Sequence, residues 1–244
     1  MLVSNIKCGM IFHQPHKRVQ IPQLSIENEE MECVDTFNLL GITLDKHLNW
    51  KAHINYISSK ISRTIGILNR LKHFLPLNIK VTIYNSLIAS HINYGILAWG
   101  NRFNRILKLQ KKAVRIIGVS KYNAHTEPLF KKFRLLRVHD TFNLFQLKFY
   151  YRYLRDQLPF YFQQMPFASN VDLTHHSYFT RQHNYLSTPM VKHEFAKNCI
   201  RYGIPKLINN TALNIKEKLY THSFKGFTNY VKKCILITTK RLVM

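Results

Sequence analysis

Apolar residues recur along this chain with two different periods, and the change of period falls near residue 49. Before that point, short apolar and β-branched runs alternate with turn-forming residues. Met10-Ile11-Phe12 precedes the turn-like stretch His13 to Arg18, and Ile21 to Ile26 follows. The segment from Glu32 to Leu44 is long enough for a strand pair, with Gly41 allowing close backbone approach or a bulge. A few short strands make a poor independent sheet. The expectation is therefore that the rest of a sheet lies upstream.

From Asn49 onward the period is helical. Trp50, Ile54, Ile57, Ile61, Ile65, Leu68 and Leu71 recur at steps of three and four and form one stripe of a long helix, with Asn49 as its N-cap. Pro76 suits the first turn of a second helix whose buried face would carry Ile79, Ile83, Leu87 and Ile88. The segment Tyr94 to Gly100, bounded by Gly95 and Gly100, reads as a core corner. A third helix is expected over Arg102 to Gly118 and a fourth over Val138 to Leu154. An irregular stretch rich in His, Ser, Thr and Asn then reads as an extended linker or arm over 159–190. Beyond it, apolar spacing at Phe195, Cys199 and Ile200 precedes a helix around Ile215 to Ile235.

The pattern predicts an α+β chain that is mainly α. Short N-terminal antiparallel strands occupy 1–48, a basic helical domain 49–158, and a small helical unit 191–244.

Charge changes the picture most. The 244 residues hold 36 Lys+Arg against 12 Asp+Glu, a formal net charge of +24. Between Asp45 and Glu127 no acidic residue occurs, while 14 Lys or Arg do. Soluble surfaces usually intersperse both signs, so this interval calls for a polyanion: nucleic acid first, an anionic membrane surface second. In the Arg102–Gly118 helix, Ile106, Leu109, Ala113, Ile116 and Ile117 share one face. Arg105, Lys108, Lys112 and Arg115 form the neighbouring stripe with Lys111 at its edge. An ordinary solvated face would carry Glu partners for these lysines, which favours contact with phosphate. On the Val138–Leu154 helix, Phe142, Phe145, Phe149, Tyr150, Tyr151 and Tyr153 alternate with Lys148 and Arg152. They are readable as core, or as a platform for unpaired bases.

Catalytic chemistry is hard to find. Nucleotidyl transfer with two metal ions needs closely placed carboxylates. The aspartates Asp35, Asp45, Asp140, Asp156 and Asp172 are scattered, and Glu27, Glu29, Glu30 and Glu32 sit in a polar, turn-like stretch. Cys8, Cys33, Cys199 and Cys234 form no close pair, which gives neither a zinc knuckle nor a disulfide framework and suits an intracellular setting, cytoplasmic or nuclear. No Cys or carboxylate stands at ligand spacing from His175-His176 or His183 in the sequence. No apolar run approaches the ~18–20 residues of a membrane span, and Met1 to Ser4 lead directly into polar residues, unlike a secretory leader.

Specific strings carry a family resemblance. Phe37-Asn38-Leu39-Leu40-Gly41-Ile42-Thr43-Leu44-Asp45, followed by Leu48-Asn49-Trp50-Lys51-Ala52-His53-Ile54, resembles the segment after the catalytic aspartates in reverse transcriptases of jockey-type LINE (non-LTR) retrotransposons. There the pattern is an aromatic, Leu-Gly, a short strand ending in Asp, then Leu-x-Trp-x-x-His-Ile. The likeness continues through Tyr94-Gly95-Ile96 to Trp99-Gly100, Leu109 to Ile117 and Tyr122 to Phe130, with counterparts at Thr180-Arg181 and Ile200-Arg201-Tyr202 to Ile204-Pro205.

The resemblance implies that the strands of 1–48 are the end of a palm sheet and that Leu40-Gly41 is a primer-grip turn. It implies that the helices from Trp50 to Gly118 are a thumb holding template–primer duplex, RNA–DNA or double-stranded, with Lys51, Lys60, Arg63, Arg105, Lys108, Lys111, Lys112 and Arg115 as the binding cations. The family's Tyr-x-Asp-Asp box, fingers and upper palm have no counterpart here, so no catalytic residue, metal ligand or cofactor is expected in this chain. Mg²⁺ is expected only in the full-length enzyme, whose missing fingers and palm would be the protein partner. Lys7 resembles the family's motif lysine, with a spacing to Met10 about two residues short. The alternatives are a non-catalytic basic module for an anionic membrane or a protein partner, and an inactive product of a decayed element.

Overall fold

The computed structural model describes residues 8–15, 20, 25–26, 29–30, 32–165, 167–173, 183–192 and 196–237. Lys7, Glu27, His175-His176, Thr180-Arg181, Phe195 and most of Ile21 to Ile26 lie outside them. The chain is α+β and mainly α. Among the described residues the strands form three two-stranded pieces. β1 (Cys8–Gly9) pairs in parallel with β4 (Glu32–Cys33), and β2 (Ser25–Ile26) pairs antiparallel with β3 (Glu29–Glu30). The antiparallel hairpin of β5 (Thr36–Leu39) and β6 (Ile42–Asp45) is in register from Thr36↔Asp45 to Leu39↔Ile42. Met10-Ile11-Phe12, expected as a strand, has no regular structure, and Glu29-Glu30 form a strand where a solvated turn was expected.

The long helix α1 (Lys51–Leu71) buries the expected stripe from Ile54 to Leu68, with Ile57, Ile61, Ile65 and Leu68 all nearly inaccessible, while Trp50 is half-buried and Leu71, at the last turn, is exposed. The next helix departs from expectation. It begins as α2 (Leu77–Ile83), widens into a π-helical turn over Tyr84–Ala89, and closes as α3 (Ser90–Asn93). Ile79 and Leu87 are exposed, while Lys80, Tyr84, Ile88 and Ile92 are buried. These four sit at steps of four, which would drift round a regular helix by ~40° per step. The wider turn keeps them on one face, and the sequence pattern alone could not show that.

Gly95, at φ 60°, ends that helix and opens α4 (Ile96–Trp99). A side chain at Gly95 would run into Ile42, and one at Gly100 into Phe142, so both glycines mark close packing at the expected corner. Helices α5 (Asn104–Ile117) and α6 (Glu127–Lys132) complete a first core cluster running from Ile54 to Val138. A second cluster runs from Leu144 to Ile235. It is built on α7 (Val138–Tyr153), the short turns α8 (Phe160–Gln163) and α9 (Asn170–Leu173), and α10 (Ile200–Asn209), α11 (Leu213–Thr221) and α12 (Phe224–Ile237).

The aromatics of α7 belong to these cores. Phe149, Tyr150 and Tyr151 are buried and Phe142 and Phe145 are packed against the first cluster, which leaves no base-stacking platform. The helix expected around Ile215 to Ile235 is two, because the Ser223 hydroxyl and carbonyl accept the Gly226 and Phe227 N–H groups and start α12 afresh. Within 159–190, Phe167 is buried and Leu186 is clamped by the Asn209 amide, which bonds both its N–H and its carbonyl at 2.9 Å. No helix among the described residues is long and apolar enough to cross a membrane.

Candidate nucleic-acid interface

The hairpin tip and the α1–α5 surface are placed by a small set of side chains at the strand-to-helix junction. Asp45 closes β6 and is buried. Its Oδ1 accepts the N–H groups of His47 and Asn49 at 3.1 Å, and its Oδ2 accepts that of Trp50 at 2.9 Å. One carboxylate thus satisfies the backbone of a tight reversal in which Leu48 (φ 47°) and Trp50 (φ 63°) take left-handed conformations. Trp50, not the expected Asn49, is the N-cap of α1 and offers no capping side chain; Asn49, one position earlier, accepts the Lys51 N–H at 2.8 Å in a local turn.

One turn into α1, the buried His53 accepts the Thr43 backbone N–H at Nδ1 (3.2 Å), docking β6 on the helix. That acceptor role fixes the neutral tautomer, and burial holds the imidazole below its ordinary value of 6.5. Its Nε2 has no hydrogen-bond partner; the ring lies edge-on to Trp99, with centroids 5.9 Å apart. Trp99 in turn donates to the Tyr94 carbonyl at 3.0 Å.

At the other end of the hairpin, Leu40 (φ 49°) and Gly41 (φ 79°) form a two-residue turn with both residues at positive φ. Asn or Asp is the favoured first residue of such a turn; here it is a leucine, 82% exposed. The Tyr94 hydroxyl donates a short hydrogen bond to the Leu40 carbonyl, and its ring lies under Gly41. Leu39 and Phe37 are also exposed. The hairpin therefore presents an apolar tip on a braced stem. Tyr94, Asp45 and His53 were not singled out as site residues from the sequence. Their signal was present in the motif strings, as residues that build the support and not the contact.

The cations divide into groups. On α5, Arg105, Lys108 and Lys112 are exposed along one side, opposite the buried Ile106, Gln110, Ala113 and Ile117. Arg105 also bonds the Asn55 side chain of α1, which joins the two helices into one surface with exposed Lys51 one turn before Asn55. Arg115 is half-buried and donates through Nε to the Ala124 carbonyl at 2.9 Å, and Lys111 is half-buried. Lys60 stands ~140° round α1 from Asn55, half-buried over the Tyr56 ring; exposed Arg63 lies between these directions. The ten residues singled out thus form a hairpin tip, an α1–α5 seam and a separate flank of α1. Among the described residues no carboxylate forms an ion pair with any cation of α1 or α5; the ion pairs are Lys46–Asp35 and those of Asp140 with Arg137 and His139. No group of three or more His, Cys, Asp or Glu among the described residues could hold a metal ion.

No protein-family model matches the chain, and no solved structure matches it with significance. Two curated sequences do. The chain is 26% identical over 139 residues to the "Probable RNA-directed DNA polymerase from transposon X-element" of Drosophila melanogaster, covering 52% of this chain and 15% of that protein. It is 26% identical over 126 residues to the "RNA-directed DNA polymerase from mobile element jockey" of the same organism, covering 49% of this chain and 14% of that protein. The match therefore spans about one seventh of each relative's length.

Proposed function

From its relationship to non-LTR retrotransposon reverse transcriptases, we propose that the chain is the template–primer grip of such a polymerase. In this reading the α1–α5 surface binds the phosphates of an RNA–DNA or double-stranded template–primer, and the Leu40-Gly41 tip bears on the primer end. The observation that carries it is the exposed cationic side of α5, which has no carboxylate against it in an interval free of acidic residues from Asp45 to Glu127. In this reading nucleotide transfer and its Mg²⁺ belong to other parts of the longer polymerase. Such a polymerase would work inside the cell, in cytoplasm or nucleus.

The test is duplex binding by the whole chain as a function of salt. Affinity should fall with a log–log slope of several units as counterions are released. The double substitution Lys108→Glu and Lys112→Glu should weaken binding at least tenfold for all duplex sequences alike. A flat salt response, or unaltered affinity in the variant, would remove α5 from the interface. Stronger competition by anionic liposomes than by duplex would support the membrane reading instead.

A further inference from the structure

A second cationic site lies away from the α1–α5 surface. Between the π-helical turn, the segment after α6, helix α7 and helix α12 there is a cleft of about 270 Å³. Arg134, Lys148 and Lys232 line it, and none of its lining residues is a carboxylate. Lys148 is half-buried and held below the ordinary lysine value, first by burial and then by the neighbouring charges of Arg152 and Lys232. The Phe145 and Phe224 rings, 4.7 and 5.3 Å from its ammonium, compensate only in part. Like charges gathered at a partly desolvated position are unfavourable unless an anion joins them.

Two further observations point the same way. Helix α6 ends with Leu135 N–H bonded to the Phe130 carbonyl (2.9 Å) and Arg134 N–H to the Lys131 carbonyl (3.0 Å). This is a Schellman arrangement whose left-handed position, φ 54°, belongs to Arg134. Glycine is the residue that position favours, so an arginine is kept there against local backbone preference, on the wall of the cleft. At the cleft's inner wall, Gln110 accepts the Val138 N–H through Oε1 and therefore donates through Nε2, to the Tyr84 hydroxyl at 2.6 Å and to the Leu136 carbonyl at 2.8 Å. Tyr84 is 1% exposed, and with its oxygen accepting, its own O–H has no acceptor among the described residues. A buried hydroxyl proton without a partner is rare in folded proteins.

We propose that this cleft binds a phosphate group, with the Tyr84 hydroxyl donating at its inner end and Arg134, Lys148 and Lys232 supplying the charge. The phosphate comes either from a free phosphate ion or from a nucleic-acid strand; the chemistry of the site is the same for both.

The experiment is calorimetric titration of the whole chain with inorganic phosphate at low ionic strength, in the wild type and in Arg134→Gly and Lys232→Gln. Saturable binding of one equivalent is expected, weakened at least tenfold in each variant. Arg134→Gly should keep or raise the melting temperature, because glycine suits the left-handed position, so lost binding cannot be ascribed to lost folding. Lys108→Glu with Lys112→Glu should leave phosphate binding unchanged, which separates this site from the α1–α5 surface whatever happens to duplex affinity. Competition by a short single strand with a 5′-phosphate but not by its 5′-hydroxyl counterpart assigns a strand end. Competition by both assigns backbone phosphates, and competition by neither assigns the free ion. Absence of saturable phosphate binding, or binding that both variants leave intact, overturns the proposal.

Discussion

On α5, Lys108 and Lys112 stand in solvent with no ring, carbonyl or carboxylate against them among the described residues. Around α7 the cations are engaged. Arg155 stacks 3.6 Å from the Tyr151 ring centroid and donates to the Leu219 carbonyl at 2.8 Å, Arg152 lies over Phe224, and Lys148 lies between Phe145 and Phe224. Lys206 and Lys216 pair in the same way with Tyr202 and Tyr185. In the second cluster, then, positive charge is part of the scaffold, because ring faces and helix-end carbonyls are there to receive it. On α5, Arg105 and Arg115 are tied to Asn55 and Ala124, while Lys108 and Lys112 bond nothing that holds the fold together among the described residues; in the proposed reading they are the ones left for phosphate.

That contrast can be broken at its scaffold end first. Arg155→Ala removes a stacked guanidinium and the donor to the last carbonyls of α11, and should cost about 2–4 kcal/mol of stability. A loss below about 1 kcal/mol in urea unfolding would show that the engaged cations are ornamental. Among the buried ionisable groups of the first cluster, His53 is the imidazole, and a smaller effect is expected there. Its folded-state value lies below 6.5, so the unfolded chain binds more protons as pH falls through 6.5. Stability should be fully present above that pH and decline below it. His53→Gln should flatten that decline; an unchanged pH profile would mean that the Thr43 contact does not depend on a neutral ring.

Smaller still, Val119→Gly should raise stability by about 0.5–1 kcal/mol, read as a higher melting temperature. Val119 takes the left-handed position that closes α5 at φ 47°, its N–H bonded to the Ile116 carbonyl at 3.1 Å and the Ser120 N–H to the Arg115 carbonyl at 3.0 Å. Last, Lys108→Ala with Lys112→Ala should change stability by no more than about 0.5 kcal/mol while lowering duplex affinity. A large stability change would erase the difference between the two regions.

The helical stripe of α1 and the amphipathic α5 were legible in the sequence, since each buries a face whose spacing follows a regular helix. The π-helical turn was not, because residues at steps of four read equally as a drifting regular helix. Ile79 and Leu87 were placed in the core for that reason, while Lys80 and Tyr84 were missed. The break between α11 and α12 depends on one serine cap inside an otherwise continuous apolar pattern. For the candidate site, the cationic stripe showed in the spacing, but the engagement of Arg115 with Ala124 and of Arg105 with Asn55 required coordinates. Tyr94 stands in one of the motif strings, but its partner could not be read there, because it acts on a carbonyl 54 positions earlier.

The junction at Asp45 makes the hairpin a lever. The strand Ile42–Asp45 carries that carboxylate four residue steps from Gly41 of the turn, an arm of about 14 Å. A rotation of 10° at the junction would carry the tip through about 2.4 Å over such an arm, close to the length of a hydrogen bond. Three amide bonds to Asp45 hold the fulcrum, and the Tyr94 hydroxyl restrains the far end. The Thr43 N–H on His53 pins the arm at its middle, so loss of Tyr94 alone would loosen only the turn beyond it, softening the end of the pointer and not its stem.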